Sequence, residues 1–303
     1  MKTKILFFAL MFSGFVSFAQ QDAQYTQYMY NTINVNPAYA GSRGVMSVFG
    51  LHRTQWVGLD GAPVTNAASL NTPIGNSKLG LGLSFVNDRI GPTDENTISA
   101  DVSYTINTSE TFKLSFGLKG TANLFNLDVN KLNPQDQGDP QFQNLRNNFT
   151  PNLGAGVYLH SDRLYFGLSV PHIFEMTRYD DNSVAINKER KNFYLIGGYV
   201  FDLSPDLKFK PAFLTKAVEG APVQVDISGN FLINEKFVLG AAYRWDAAFS
   251  GMAGFQVSDQ IFIGYAYDRE TTNLRRFNSG SHEVFLRFEL FKNYSKIVSP
   301  RFF

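Results

Sequence analysis

From about residue 43 onward the chain alternates apolar and polar positions, the two-residue period of a strand with two unlike faces. In TISADVSYTI, Ile98, Ala100, Val102, Tyr104 and Ile106 alternate with Thr97, Ser99, Asp101, Ser103 and Thr105. In FKLSFGLKG, Phe112, Leu114, Phe116 and Leu118 oppose Lys113, Ser115, Gly117 and Lys119. VQVDISGNF sets Val223, Val225, Ile227 and Phe231 against Gln224, Asp226, Ser228 and Asn230, and HEVFLRFEL sets Val284, Leu286, Phe288 and Leu290 against Glu283, Arg287 and Glu289. Such stretches predict about fourteen strands of roughly 8 to 12 residues. They lie near 44–56, 63–73, 78–88, 96–106, 111–124, 150–160, 163–171, 191–202, 207–215, 221–232, 236–246, 249–257, 260–269 and 281–291.

A secreted sandwich also alternates, so the connections decide between the two folds. One set is minimal: GNSK (75–78), NTSE (107–110), HSDR (160–163), LSPD (203–206), INEK (233–236) and SDQ (258–260), all turn-forming. The other set holds the long segments Asn126 to Phe149 and His172 to Arg190, and a shorter one from Glu270 to Gly280. Turns at one rim and loops at the other describe a transmembrane barrel with its turns periplasmic and its loops outside. The expected fold is therefore all-β: a transmembrane antiparallel β-barrel of about 14 strands over 43–292, with both termini periplasmic because the strand number is even. Tyr104, Tyr199, Trp245, Tyr265 and Tyr267 stand near strand ends and suit interfacial girdles.

The charges of the polar face, Asp101, Lys113, Lys119, Asp226, Arg244, Asp246, Glu283, Arg287 and Glu289, are expected in the lumen. Both signs occur, whereas a pore selective for one ion charge favours a single sign. Solvated lumen charges and a packed network of pairs both fit.

Composition narrows the class. The 303 residues include 29 Phe, 14 Tyr and 25 Gly, and beyond the N-terminus no apolar run is long enough for a spanning helix. Cysteine is absent, which excludes a disulfide framework, a thiolate metal site and a lipid-modified N-terminal cysteine. The opening MKTKILFFALMFSGFVSFAQQ places Lys2 and Lys4 before an apolar run from Ile5 to Ala19, the pattern of a signal peptide over 1–19 cleaved after Ala19. That run, about 15 residues, is short of the roughly 20 a spanning helix needs. Without Lys2 and Lys4 the 27 basic residues become 25 against 26 acidic ones, so no footprint for nucleic acid remains.

Between leader and barrel lies a segment over 20–42 that contains QYTQYMYNTINVNPAYAG. Tyr25, Tyr28, Met29 and Thr32 follow helical spacing, Pro37 cannot continue a helix, and the strand rhythm begins only after Gly41. The segment either plugs the lumen, with its tyrosines on the wall, or stays in the periplasm as an arm. After the last strand, 293–303 is expected as a periplasmic tail, an assembly signal, a docking peptide or a strap on the rim.

Candidate chemistry is sparse. The four histidines are His52, His160, His172 and His282; His172 and His282 lie near the outer strand ends beside Ser169 and Ser281, without an orienting third group. The sequence has no HExxH, no P-loop and no complete GxGxxG, and GLGLSF (80–85) reads as a strand whose small residues face the lumen. Asp94, Glu95, Asp136 and Asp139 lack the spacing of a calcium loop and more simply solvate the loops. No catalysis, cofactor, metal or small-molecule substrate is expected. HRTQWVGLDGAP carries Asp60-Gly61 as a turn signal, with Arg53, Gln55 and Trp56 either a recognition patch at the outer rim or, for Trp56, a girdle position.

Five stretches carry a resemblance: NVNPAYAG (34–41), HRTQWVGLDGAPVT (52–65), LGLGLSFVNDRIGPT (79–93), SFGLKG (115–120) and SPRFF (299–303). Together they resemble the PorP/SprF family of type IX secretion system outer-membrane proteins. The resemblance implies a non-enzymatic outer-membrane barrel tied to type IX secretion and gliding motility. Its partners would be other secretion components or the C-terminal domain of a large secreted surface protein such as an adhesin, with outer-membrane lipid around it. On that basis the candidate partner-binding residues are Tyr25, Tyr28, Tyr30, Asn36, Pro37, Tyr39, Arg53, Gln55, Trp56, Pro300 and Arg301. A porin-like transport channel and a rim-active enzyme are the competing classes.

Overall fold

In the computed structural model, which describes residues 25–75, 77–132, 144–177 and 188–290, the alternating stretches form one antiparallel sheet closed on itself. Its fourteen strands are β1 (Met46–Thr54), β2 (Val64–Pro73), β3 (Leu79–Ile90), β4 (Thr93–Asn107), β5 (Lys113–Leu127), β6 (Leu145–His160) and β7 (Leu164–Val170). They continue as β8 (Asn192–Tyr199), β9 (Leu207–Val218), β10 (Gln224–Ile233), β11 (Phe237–Arg244), β12 (Ala248–Gln256), β13 (Ile261–Glu270) and β14 (Ser281–Leu290). Each strand pairs with the next, and β14 returns to β1 with Leu290 opposite Met46 and His282 opposite Thr54. Closure leaves no unpaired edge, the condition for spanning lipid with strands. One extra strand, Phe201–Ser204, continues past a bend at Val200 and pairs with the start of β9, and a two-residue ribbon joins Met176–Thr177 to Lys188–Glu189.

The faces are inverted relative to a soluble core. Leu83, Ile98, Phe116, Leu118, Ile227, Leu239 and Leu286 point outward and are exposed, whereas Ser84, Ser99, Asp101, Ser115, Lys119, Asn230 and Glu283 point inward and are buried. Tyr104, Tyr265 and Trp245 are exposed on the outer surface, Trp245 at 62 %.

Every connection at one rim is short: 74–78, 108–112, 161–163, 200–206, 234–236 and 257–260. The opposite rim carries the long segments 128–144, 171–191, 55–63 and 271–280, but also three tight connections, 91–92, 219–223 and 245–247. Asp246 lies in the last of these, exposed and with a left-handed φ of 52°, so it is a turn residue and not the lumenal charge that alternation suggests. β4 begins at Thr93 and β6 at Leu145, earlier than the alternation marks them. At the start of β4, over residues 93–96, both faces are polar and the period vanishes: Asn87 donates to Asp94 at 2.8 Å and to Asn96 at 3.0 Å, across β3 and β4.

The expected leader 1–19 and tail 293–303 lie outside the described residues. The first and last strands both meet the short-turn rim, as an even number requires. The first described residues ahead of β1 lie at the opposite end, where Glu283 binds the Thr26 and Gln27 amides. Tyr25 sits toward the other mouth.

Candidate functional site: the filled lumen

Residues 25–41 occupy the inside of the barrel. Three single turns shape them, Tyr28–Tyr30, Thr32–Val35 and Pro37–Tyr39. The last begins at Asn36, whose Oδ1 accepts from the Ala38 amide at 3.0 Å, with Pro37 in the position where a missing N–H costs nothing. Helical spacing thus survives only as single turns, because the segment must follow the wall along the barrel.

So little regular structure leaves many backbone groups without partners in the segment itself, and the wall supplies them. Lys119 Nζ donates to the Ile33 carbonyl at 3.1 Å, Ser169 Oγ to that of Val35 at 2.8 Å and Ser103 Oγ to that of Ala40 at 2.7 Å. Asn36 Nδ2 reaches the Val157 carbonyl at 3.0 Å, and Ser69 Oγ donates to Asn31 Oδ1 at 2.8 Å. Where backbone meets backbone the wall has no side chain: a Cβ on Gly117 would fall on the Ala38 amide, and one on Gly80 on the Ala40 carbonyl.

Charge holds both ends. At the loop-side mouth the Glu283 carboxylate accepts the amides of Thr26 and Gln27, one on each oxygen, both at 2.9 Å. Arg53 lies between Asp268 at 2.7 Å and Glu283 at 3.1 Å, and donates to Thr26 Oγ1 at 2.8 Å while that hydroxyl donates to Asp268 at 2.6 Å. At the turn rim Arg43 pairs with Glu289, beside Arg287. Lys119 and Asp101 pair at 3.4 Å in mid-wall, and Arg244 and Asp226 at 2.9 Å. These lumen charges are a packed network, not a solvated lining.

The middle is aromatic. The Tyr30 ring lies 4.5 Å from that of Phe285 and 5.5 Å from that of Phe262, with Phe49 a further 5.1 Å from Phe285. On the other side Tyr39 meets Tyr158 edge-on at 5.6 Å. Met29 and Ile33 are 1 % exposed, and each such large side chain, fully buried, contributes about 1.5–3 kcal/mol.

Of the residues singled out by sequence, Tyr25, Tyr28, Tyr30, Asn36, Pro37, Tyr39 and Arg53 converge here, buried against the chain's own wall. A separate partner reaches them only if the segment leaves the lumen. Gln55 and Trp56 lie at the loop-side mouth. Trp56 is half-buried, has φ 48°, and donates its indole N–H to Glu270 at 2.9 Å. It belongs to the loop packing there, and its amide is tied to Ser281 Oγ. Pro300 and Arg301 lie outside the described residues. The Ser281 side chain is buried inside while His282 next to it lies on the outer face with its Nδ1 2.7 Å from Tyr265 Oη, so these neighbours form no nucleophile and base pair. Among the described residues no group of three or more His, Asp or Glu is placed to hold a metal ion.

Sequence reasoning did not single out Asp268, it placed Ser103, Glu283 and Lys119 only on the polar face, and it named Ser169 only as a neighbour of His172. A signal was present: Phe49, Leu51 and Phe285 put apolar side chains on the inner face of β1 and β14, which a water-filled lumen would not favour.

The architecture has known counterparts. The toluene transporter TbuX of Ralstonia pickettii superposes with a TM-score of 0.51 at 9 % identity, over 85 % of this chain and 92 % of that one. A TodX mutant, a monoaromatic hydrocarbon channel, gives 0.51 at 8 % identity, over 88 % and 94 %. Identities this low establish the fold alone, an outer-membrane barrel. Among curated proteins no sequence matches the chain. The profile described as type IX secretion system membrane protein PorP/SprF matches residues 17–288, nearly the whole of this plugged barrel, and the chain belongs to that family.

Proposed function

We propose that this chain serves type IX secretion as a filled, non-enzymatic scaffold in the outer membrane. It engages other secretion components, or the C-terminal domain of a large secreted surface protein such as an adhesin, at its rims and not through its lumen. The observation that carries this reading is the seating of residues 25–41, whose backbone is bound by wall side chains along its length and whose aromatic rings occupy the bore. A cargo path through the barrel would have to break those contacts. A signal peptide over 1–19 delivers the chain to the periplasm, the short turns remain there and the long loops face outward. Gln55 and Trp56 at the loop-side mouth are contact positions for such a partner, and Pro300 and Arg301 are further candidates on the strength of the family resemblance.

Two measurements test it together. The purified full chain in a planar bilayer should show no steady conductance, and affinity purification from the native outer membrane should bring down secretion components or a large secreted protein. A stable open pore without such partners would favour the transport channel instead.

A further inference from the structure

We propose that the outer face of β1 and β2 docks a second copy of this chain within the membrane, about a two-fold axis along the membrane normal. A ladder of polar side chains marks the place. His52, Asn66, Asn87 and Asn96 stand in one cross-strand row over β1 to β4, on the outside of the barrel. His52 Nδ1 lies 2.8 Å from Asn66 Oδ1, Asn66 Nδ2 donates to Asn87 Oδ1 at 3.4 Å, and Asn87 Nδ2 donates to Asn96 Oδ1 at 3.0 Å. Asp94 ends the ladder, accepting from Asn96 at 3.0 Å and pairing with Arg89 at 3.0 Å. Continued in either direction the row turns apolar, with Val284 on β14 and with Leu124 and Phe149 on β5 and β6.

The ladder begins inside the lipid. Strand tilt makes the row climb: His52 is six residues from the turn-rim end of β1, Asn87 eight from that of β3, and Phe149 eleven from that of β6. The apolar belt starts at that rim, where the terminal residues Leu79 of β3 and Leu290 of β14 are exposed. At about 3.3 Å per residue and a tilt of about 40°, six residues rise about 15 Å, within a belt about 25 Å tall. Acyl chains offer His52 and Asn66 no hydrogen bond, and polar groups left in hydrocarbon are costly. Anionic headgroups are not the cover, since Arg89, the ladder's cation, is already paired.

Two features make the face complementary to itself. Asn66 Oδ1 accepts from His52, so the neutral ring carries its proton on Nδ1 and offers Nε2 as an acceptor, while Asn66 Nδ2 keeps one hydrogen beyond that given to Asn87. A two-fold axis between β1 and β2 sets His52 of each copy against Asn66 of the other at one depth, acceptor to donor. One row nearer the turns, Gly50 and Ala68 stand side by side, flanked by Leu286 and Phe85. Convex walls touch along a line and diverge beside it. Small residues on that line, where a Cβ on Gly50 would meet nothing within 4 Å, and long exposed ones at its flanks follow both surfaces.

The absence of cysteine makes the test direct. Gly50→Cys, Ala68→Cys and, as control, Leu239→Cys on the exposed face of β11 are made singly in the full chain and oxidised in lipid vesicles. The first two should give crosslinked pairs of chains on a non-reducing gel, and the control should not. Native mass spectrometry of the parent should record two chains. Ala68→Trp, which adds bulk on the contact line and none in the bore, should record one while keeping its heat-modifiable migration. A single-chain mass for the parent, or crosslinking of Leu239→Cys equal to that of Ala68→Cys, overturns the inference. So does a parent that is single when purified while Ala68→Cys crosslinks to a different protein in the native membrane, which would assign the face to that protein.

Discussion

Arg53 and Glu283 stand directly opposite each other across the β1–β14 seam and meet inside the barrel at 3.1 Å, where the same carboxylate binds two amides of the opening segment. The ion pair thus ties three pieces of chain at one point. Replacing Arg53 by Met leaves Glu283 and Asp268 facing each other without their shared cation, and breaking a buried pair in this way costs about 3–5 kcal/mol. Urea unfolding from lipid vesicles should record that loss, with Arg53→Lys falling between, because an ammonium lacks the fork that spans two carboxylates. A loss below about 1 kcal/mol for Arg53→Met would show that the clamp contributes little net stability beyond the packing around it.

The outer and inner faces of β5 should both resist change, for different reasons. Phe116→Arg puts a charge into lipid and should cost about 2–4 kcal/mol near the midplane. Lys119→Met strands Asp101 and two carbonyls of the segment, so a cost of about 3 kcal/mol is expected although the residue lies on the polar face. Lys113, on the same face but exposed at the turn rim, should tolerate Met within about 0.5 kcal/mol. Equal tolerance at Lys119 and Lys113 in the same urea series would show that Lys119 is solvated.

Gly117→Leu should unseat the segment without touching the seam. The added side chain occupies the place of the Ala38 amide, and the Pro37–Tyr39 turn has to move away. In planar bilayers this variant should show open-pore events that the parent chain does not. Gly251→Ala is the matched control, since a Cβ there meets nothing within 4 Å. Silence from both would mean that the bore stays blocked by other means.

Sidedness has its own test. Asn144 is exposed on the long connection between β5 and β6, and Ser109 in a tight turn at the opposite rim. Cysteine at Asn144 should be labelled on intact cells and cysteine at Ser109 only after the outer membrane is opened. The reverse pattern would turn the barrel over.

The barrel was legible because lipid on one side and a polar lining on the other impose a strict period of two, and strands such as Thr93–Asn107 and Ser281–Leu290 keep it through the membrane depth. Their ends were less legible. Where β4 begins, Asp94 and Asn96 do not alternate with apolar residues, and hydrogen bonding between strands marks the structure. The opening segment could be separated from the barrel by Pro37 and the missing alternation, but its location could not be read from its own residues. Tyrosines at helical spacing suit a wall or a partner equally well. The complementary signs lie far away in sequence, in Phe49 and Phe285 on inner faces and in Gly80 and Gly117 opposite Ala40 and Ala38, and only folding brings them together. Tyr30 and Arg53, which the resemblance offers as partner contacts, are buried in this fold against the chain's own wall.

The chain has two tryptophans, and both stand at the loop-side mouth: Trp56, half-buried with its indole bonded to Glu270, and Trp245, exposed in the turn between β11 and β12. The ultraviolet emission of the native protein therefore reports on that one end. A protein docking on the loop face should blue-shift it or protect it from an aqueous quencher, whereas one docking at the turn rim should leave it unchanged. The molecule carries its own optical indicator of which face is engaged, and no dye has to be attached to read it.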